Sequence, residues 1–254
     1  VSFLSVHPGA CFSEVISISI RTPGSASHTM ASFAPEFSKT HYPNGLNANF
    51  KKDDADFLVK EYGQGSGKFE NPETRDIAKC WENLADALVK TGKLDPGMTA
   101  VDVGAGTGLW TFFFAEKVGP SGRVVGTELS EGFLKILRQK DKETRGDGKP
   151  LAPIDFIQSS ETETGIPSDL AADLVLLCDV YHHFEFPKAQ MASIRRALLG
   201  VAEKGKGPGL LAFVDFHRDP AKIWSHPPEW VLEHVRAGKE EFTEEVISCG
   251  FRLK

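Results

Sequence analysis

The segment Val101-Asp102-Val103-Gly104-Ala105-Gly106-Thr107-Gly108-Leu109-Trp110 places three glycines between an apolar run and a stretch of helical character. Backbone without Cβ atoms adopts positive φ readily and lets a ligand approach the main chain closely. Twenty residues beyond Gly108 stands Glu128, at the end of the apolar run Val124-Val125-Gly126-Thr127. A carboxylate in that position accepts both hydroxyls of an adenosine ribose. Two further groups of ionisable side chains are Cys178-Asp179-Val180-Tyr181-His182-His183-Phe184 and Val214-Asp215-Phe216-His217-Arg218. An imidazole of pKa about 6.5 is neutral and receptive to a proton at physiological pH. Two His with two Asp also make a donor set for a divalent metal, and the same residues serve packing and loop capping elsewhere.

The glycine spacing separates two nucleotide ligands. A dinucleotide site reads GxGxxG, with a helix N-terminus aimed at the pyrophosphate. Here the pattern is GxGxG, Leu109 occupies the third dinucleotide position, and Asp102 stands two residues before Gly104. That carboxylate repels a pyrophosphate and suits the ammonium of an amino-acid moiety, which favours S-adenosyl-L-methionine over NAD. Adjacent histidines do not by themselves direct both rings at one ion, so no metal is expected. Tyr181 and Trp110 are aromatic groups able to face a sulfonium, with core packing the stronger expectation for Trp110. Phe112, Phe113 and Phe114 cannot all face one sheet from one helix, and one of them is expected to touch the N-terminal segment.

These residues need a scaffold, and the chain supplies an alternation. Runs rich in Val, Ile, Leu and Phe at 99–103, 123–127, 154–158, 173–178 and 210–216 read as strands. Helical patterns fill 109–118, 131–142, 188–201 and 229–248, preceded by an amphipathic helix over 77–92. Continuous apolar strands alternating with helices predict a parallel sheet covered on both faces, with ligands bound beyond the carboxyl ends of the strands. Residues 1–31 are Ser-rich and nearly free of acid and are expected to be a disordered or targeting-like tail. Residues 32–72, with scattered Pro and Gly, are expected to form an irregular cap segment with one short helix over 53–62. Residues 73–254 are expected to be the folded domain.

Composition narrows the function classes. The chain has 254 residues, 41% hydrophobic, and a net charge of −6 without a basic block, so nucleic acid and anionic membrane surfaces are not expected partners. No run approaches the roughly 20 apolar residues of a membrane span. Cys11, Cys80, Cys178 and Cys249 are scattered, which predicts neither a disulfide framework nor a zinc site and points to a reducing compartment. The expected location is cytoplasmic, or an organelle if residues 1–29 are a targeting segment.

On VDVGAGTG, Glu128, Gln158-Ser159-Ser160-Glu161 and Asp173-Leu174-Val175-Leu176-Leu177-Cys178-Asp179, the chain from about residue 73 onward resembles the class I S-adenosylmethionine-dependent methyltransferases. It also resembles bacterial-type small-molecule members that share Asp-Val-Tyr-His-His-Phe. The resemblance implies an α/β fold, a Rossmann-like, doubly wound, mainly parallel sheet with helices on both faces. It implies that Asp102, Gly104 and Gly106 face the methionine end of the cofactor, with Ala105, Thr107 and Gly108 in the same loop. Glu128 and Leu129 would then hold the ribose, Ser160 or Glu161 border the adenine, and Asp179 lie near the methyl donor. His182, His183 and Tyr181 are the catalytic candidates, His182 being the general base that faces the acceptor. The family's sheet has seven strands ending in an antiparallel pair, whereas Gly250-Phe251-Arg252-Leu253-Lys254 only begins the sixth. The C-terminal strands therefore read as truncated, and an oligomer contact is expected to cover the sheet edge. The expected activity is methyl transfer to a small-molecule acceptor. The alternatives are an NAD(P)-dependent oxidoreductase and a non-catalytic S-adenosylmethionine-binding protein.

Overall fold

Apolar runs too continuous for a half-exposed sheet form the centre of the structure, a computed structural model that describes residues 16–20, 42, 45–51, 55–62, 68–203 and 207–253. The strands are β1 (Ile16–Ile20), β2 (Thr99–Val103), β3 (Arg123–Glu128), β4 (Ile154–Gln158), β5 (Leu174–Cys178), β6 (Leu210–Val214) and β7 (Phe251–Leu253). They form one sheet in the order β4-β3-β2-β5-β6-β1-β7. The first five in that order are parallel, and β1 runs antiparallel to both β6 and β7.

The helices are α1 (Ala55–Tyr62), α2 (Asp76–Lys79), α3 (Trp81–Lys90), α4 (Leu109–Val118), α5 (Glu131–Gly146), α6 (Pro187–Glu203), α7 (Pro228–His234) and α8 (Lys239–Ser248). Strand side chains alternate between two cores. On β5, Leu174 and Leu176 join Leu84 and Leu88 of α3 and Phe114 and Val118 of α4. Val175 and Leu177 join Met191, Ile194 and Leu198 of α6 and Phe242 and Val246 of α8. The result is the expected Rossmann-like, doubly wound sheet, and its central strands leave β2 and β5 side by side with their carboxyl ends on one edge.

Several expectations are corrected. Residues 16–20, assigned to a disordered or targeting-like tail, form a strand inside the sheet; the rest of 1–31 lies outside the described residues. Among the described residues the sheet has seven strands: β7 forms at its edge, and β1, from the N-terminal side, stands between β6 and β7. The expected helix over 229–248 is two, α7 and α8, parted where Gly238 takes an extended conformation ahead of α8. The helix over 77–92 is likewise α2 and α3. Phe113 meets Trp81 of α3 at 5.1 Å between ring centroids. Cys80 is disulfide-bonded, while Cys178 and Cys249 are free. Among the described residues no helix is long and apolar enough to cross a membrane.

Candidate active site

The turn from β2 into α4 is built on positive φ. Gly104, Gly106 and Gly108 have φ of 75°, 52° and 90°. At Gly104 a Cβ would lie 2.4 Å from Val180 Cγ2, so the turn after β5 packs directly on this backbone. The N–H groups of Gly104 and Ala105 both donate to the Thr127 carbonyl, at 2.8 and 3.0 Å, which ties the loop to β3. Thr107 Oγ1 donates to Glu70 Oε1 at 2.6 Å. Lys140 Nζ on α5 donates to the same carboxylate at 3.2 Å and to the Thr107 carbonyl at 3.1 Å.

Two buried carboxylates flank the loop. Asp102, on β2, is 2% exposed and accepts a 2.6 Å hydrogen bond from Thr111 Oγ1. Burial pushes its pKa up from 3.8 to about 7. Glu128, on β3, accepts from the N–H groups of Gly106 at 2.8 Å and Ser130 at 2.9 Å. Burial raises its pKa as well, against the opposing pull of those hydrogen bonds. Both carboxylates border a cavity of about 830 Å³ at the carboxyl ends of the strands, which Gly104, Ala105, Gly106, Thr107, Leu129, Ser160, Glu161 and Asp179 also line. The structure thus brings together every residue expected at the cofactor except Gly108, which caps α4 instead. The Glu161 carboxylate is ion-paired with Lys51. The Ser160 hydroxyl accepts from the N–H groups of Thr162 and Glu163, at 3.3 and 3.0 Å.

Beyond β5, Asp179 adopts a left-handed φ of 52° and pairs with Arg75 Nη2 at 2.9 Å. Burial holds its pKa above the ordinary carboxylate range, and the guanidinium opposes that rise. Arg75 is itself held over the rings of Phe69 and Phe216, at 5.1 and 4.9 Å.

The next residues form a short 3-10 turn, Tyr181–His183. His182 is 1% exposed; its Nδ1 donates to Asp215 Oδ1 at 2.6 Å and its backbone N–H to Asp215 Oδ2 at 3.1 Å. With the proton on Nδ1, the Nε2 lone pair faces His234 Nε2 at 3.2 Å. His234 Nδ1 in turn meets the Tyr42 hydroxyl at 2.7 Å. Desolvation lowers the pKa of His183 well below the ordinary histidine value, that of His234 to about 2 and that of His226 to about 4, so these rings are neutral.

Tyr181 is a correction among the catalytic candidates. It points away from the cavity, fully buried against Phe184, Phe213 and Phe242. Its hydroxyl donates to Glu245 Oε2 at 3.0 Å, since a residue adjacent to His182 on a tight turn must face another way. Asp215 reaches the site only through His182, and neither it nor His217 lines the cavity. Trp110 packs at 5.4 Å on Trp81, as expected for core. Arg75, Tyr42 and His234 escaped the sequence reading. His226, Trp230 and His234 recur every four residues and stack at 3.7 and 4.2 Å between successive centroids, an aromatic spacing that marks one helical face.

A doubly wound sheet with an acid-flanked glycine loop at its carboxyl edge is the arrangement of nucleotide-binding α/β domains. Residues 101–199 match the methyltransferase domain family. A stretch of 59 residues is 49% identical to the demethylmenaquinone methyltransferase of Lactococcus lactis, covering 23% of each chain. A stretch of 81 residues is 32% identical to the demethylmenaquinone methyltransferase of Listeria welshimeri, covering 32% of each. The match thus spans a quarter to a third of these relatives' own length. The structure is also similar to a SAM-dependent methyltransferase from Aquifex aeolicus, with a TM-score of 0.55 and 20% identity over 79% of this chain and 90% of that one. This likeness bears on the fold.

Proposed function

We propose that the protein transfers the methyl group of S-adenosyl-L-methionine to a small-molecule acceptor. The observation that carries the reading is the pair of buried carboxylates, Asp102 and Glu128, on adjacent strands and both open to the cavity beside Gly104 and Gly106. Buried carboxylates are retained where a charged or hydroxylated ligand compensates their desolvation. Asp102 supplies a negative charge for an ammonium, and Glu128 keeps acceptor capacity for ribose hydroxyls after taking two backbone N–H groups. When bound, the sulfonium supplies an electrophilic methyl group that needs no further activation. The chain's own work is to hold the acceptor in line, exclude water and remove a proton where there is one.

The cavity has an aromatic wall. Phe50, Tyr62, Phe69 and Phe133 contact one another with centroids 4.7 to 6.2 Å apart. Such a wall suits a flat apolar ring, in keeping with relatives named for demethylmenaquinone. We assign proton removal to the histidine cluster. Asp215 fixes the His182 tautomer so that Nε2 carries the lone pair, and burial keeps its neighbours neutral. The net charge of −6 favours a small-molecule acceptor over a nucleic acid.

Calorimetry with S-adenosylmethionine, its demethylated product and NAD tests the reading. Binding of the first two and not the third is expected, followed by methylated product from a panel of quinols and phenols incubated with labelled donor. NAD binding in place of S-adenosylmethionine sinks the proposal.

A further inference from the structure

We propose that His182, His183 and His234 form a binding site for one divalent transition-metal ion of the zinc class. Each offers a ring nitrogen, and the three nitrogens lie within 4.8 Å of one another. The His182 and His234 Nε2 atoms are 3.2 Å apart. Ligands of a tetrahedral zinc with bonds of about 2.0–2.1 Å are separated by about 3.4 Å, so this pair already stands at ligand spacing. His183 needs to approach by no more than about 1.4 Å, and its buried Nδ1 has no hydrogen-bond partner among the described residues. The expectation of no metal rested on the two adjacent histidines; the third ligand arrives from α7, some fifty residues along the chain.

The groups behind the rings are those a metal site requires. A ligating histidine gives its other N–H to a carboxylate or similar acceptor, which fixes the tautomer and raises basicity. Asp215 does this for His182, at 2.6 Å. In the free cluster the Tyr42 hydroxyl donates to His234 Nδ1, and His234 Nε2–H points at His182. A metal on His234 Nε2 moves that proton to Nδ1, which then donates to the Tyr42 oxygen. The phenol proton has a waiting acceptor, since Tyr42 Oη also lies 3.4 Å from the Glu233 carbonyl. His234 and Tyr42 therefore keep their hydrogen bonds in both states, and the metal would supply a partner for the His183 ring nitrogen. No carboxylate enters the inner set, and imidazole-only sets select zinc, copper, nickel or iron over calcium and magnesium. All three rings line the cavity, so a fourth coordination position opens towards the acceptor.

Metal occupancy stands on the ring geometry alone. Its use, to orient and acidify an acceptor oxygen in place of direct proton transfer to a histidine, rests on the methyl-transfer reading. The test takes the full chain stripped with a chelator, titrated with Zn²⁺ by calorimetry and with Co²⁺ by visible absorption. One equivalent should bind, with a Co²⁺ band of tetrahedral intensity. His183→Ala and His234→Ala should each abolish that band, and Asp215→Asn should weaken binding by about 10- to 100-fold. His226→Ala, outside the trio, should leave it unchanged. If alanine at 234 unfolds the protein, His234→Gln removes the ligand while keeping bulk and polarity. Failure of the folded native chain to bind Zn²⁺ stoichiometrically, or binding that survives the double His183→Ala/His234→Ala variant, overturns the site. S-adenosylmethionine affinity, measured on the same samples, separates the two proposals: intact cofactor binding without metal removes this inference and leaves methyl transfer standing.

Discussion

Asp102 makes the affinity for S-adenosylmethionine a function of pH, and the structure sets the range. Burial lifts its pKa from 3.8 to about 7, so in the ligand-free protein the acid is half protonated near neutrality. Because the folded-state value is raised, its contribution to stability is fully present below about pH 4 and is lost as pH rises through about 7. A shift of about 3 units corresponds to about 4 kcal/mol at most. A ligand ammonium reverses the preference by pairing with the ionised form, so binding takes up the work of deprotonation at acid pH. Affinity should fall about tenfold per unit below pH 7 and level off above it, until an α-amino group loses its own charge near about 7.7–8.0. Glu128 and Asp179, whose pKa values are also raised, share the cavity, and Arg75 is the nearby fixed cation. The assay is calorimetric titration across about pH 5.5 to 8 with the native chain, Asp102→Asn and Glu128→Gln. The acid limb should vanish in Asp102→Asn, with affinity lowered at neutral pH, and persist in Glu128→Gln. A native affinity that is flat over this range, or an acid limb retained by Asp102→Asn, refutes the assignment of Asp102 to the ligand's cation.

Glu128→Ala should weaken S-adenosylmethionine binding by about 1.5–3 kcal/mol in calorimetry. It should also lower the ligand-free melting temperature, because the N–H groups of Gly106 and Ser130 lose their acceptor. Gly104→Ala combines a positive φ of 75° with a 2.4 Å clash on Val180, and a loss above about 3 kcal/mol is expected in chemical denaturation. Arg236, 1% exposed, is held by Glu245 at 2.9 and 2.7 Å. Arg236→Ala strands that carboxylate and should cost about 3–5 kcal/mol, whereas Arg236→Ala with Glu245→Leu should recover part of it. Ile18→Pro removes a donor from the middle of β1, and a melting-temperature drop of several degrees is expected; an unchanged melting curve would argue against the β1 pairing.

The parts legible in the sequence were those with local signatures. Strands β5 and β6 announce themselves as nearly unbroken apolar runs and β2 and β3 as Val-rich ones, because their faces are largely buried, whereas β4, at the sheet edge, is partly exposed. The glycine loop and Glu128 follow at a fixed spacing from them. What the sequence concealed depends on distant partners. His234 joins His182 across 52 residues and Tyr42 joins His234 across 192, separations at which no spacing rule operates. Tyr181 and His182 look equivalent in a linear motif, and only the turn geometry sends one into the core and the other to the cavity. Strand β1 did carry a signal: Ile16-Ser17-Ile18-Ser19-Ile20 alternates with period two. The Ser-rich composition around it outweighed that pattern.

The place of β1 has a consequence for the order in which the chain folds. Ile16 pairs with Phe213, and Ile18 with Leu253, so the earliest of the described strands to be synthesised waits for the latest. Until residues 210–214 leave the ribosome, β1 has no edge to join, and until it joins, β7 has no neighbour to hold it. The five parallel strands can assemble as a unit first, leaving the outer edge of β6 open to any strand that finds it. Closing a loop that spans nearly the whole chain is the slow step of such a topology. Refolding of this protein should therefore show a late phase that restores β1 and β7 together, and exchange of β1 between two copies is the misassembly to which that interval exposes it.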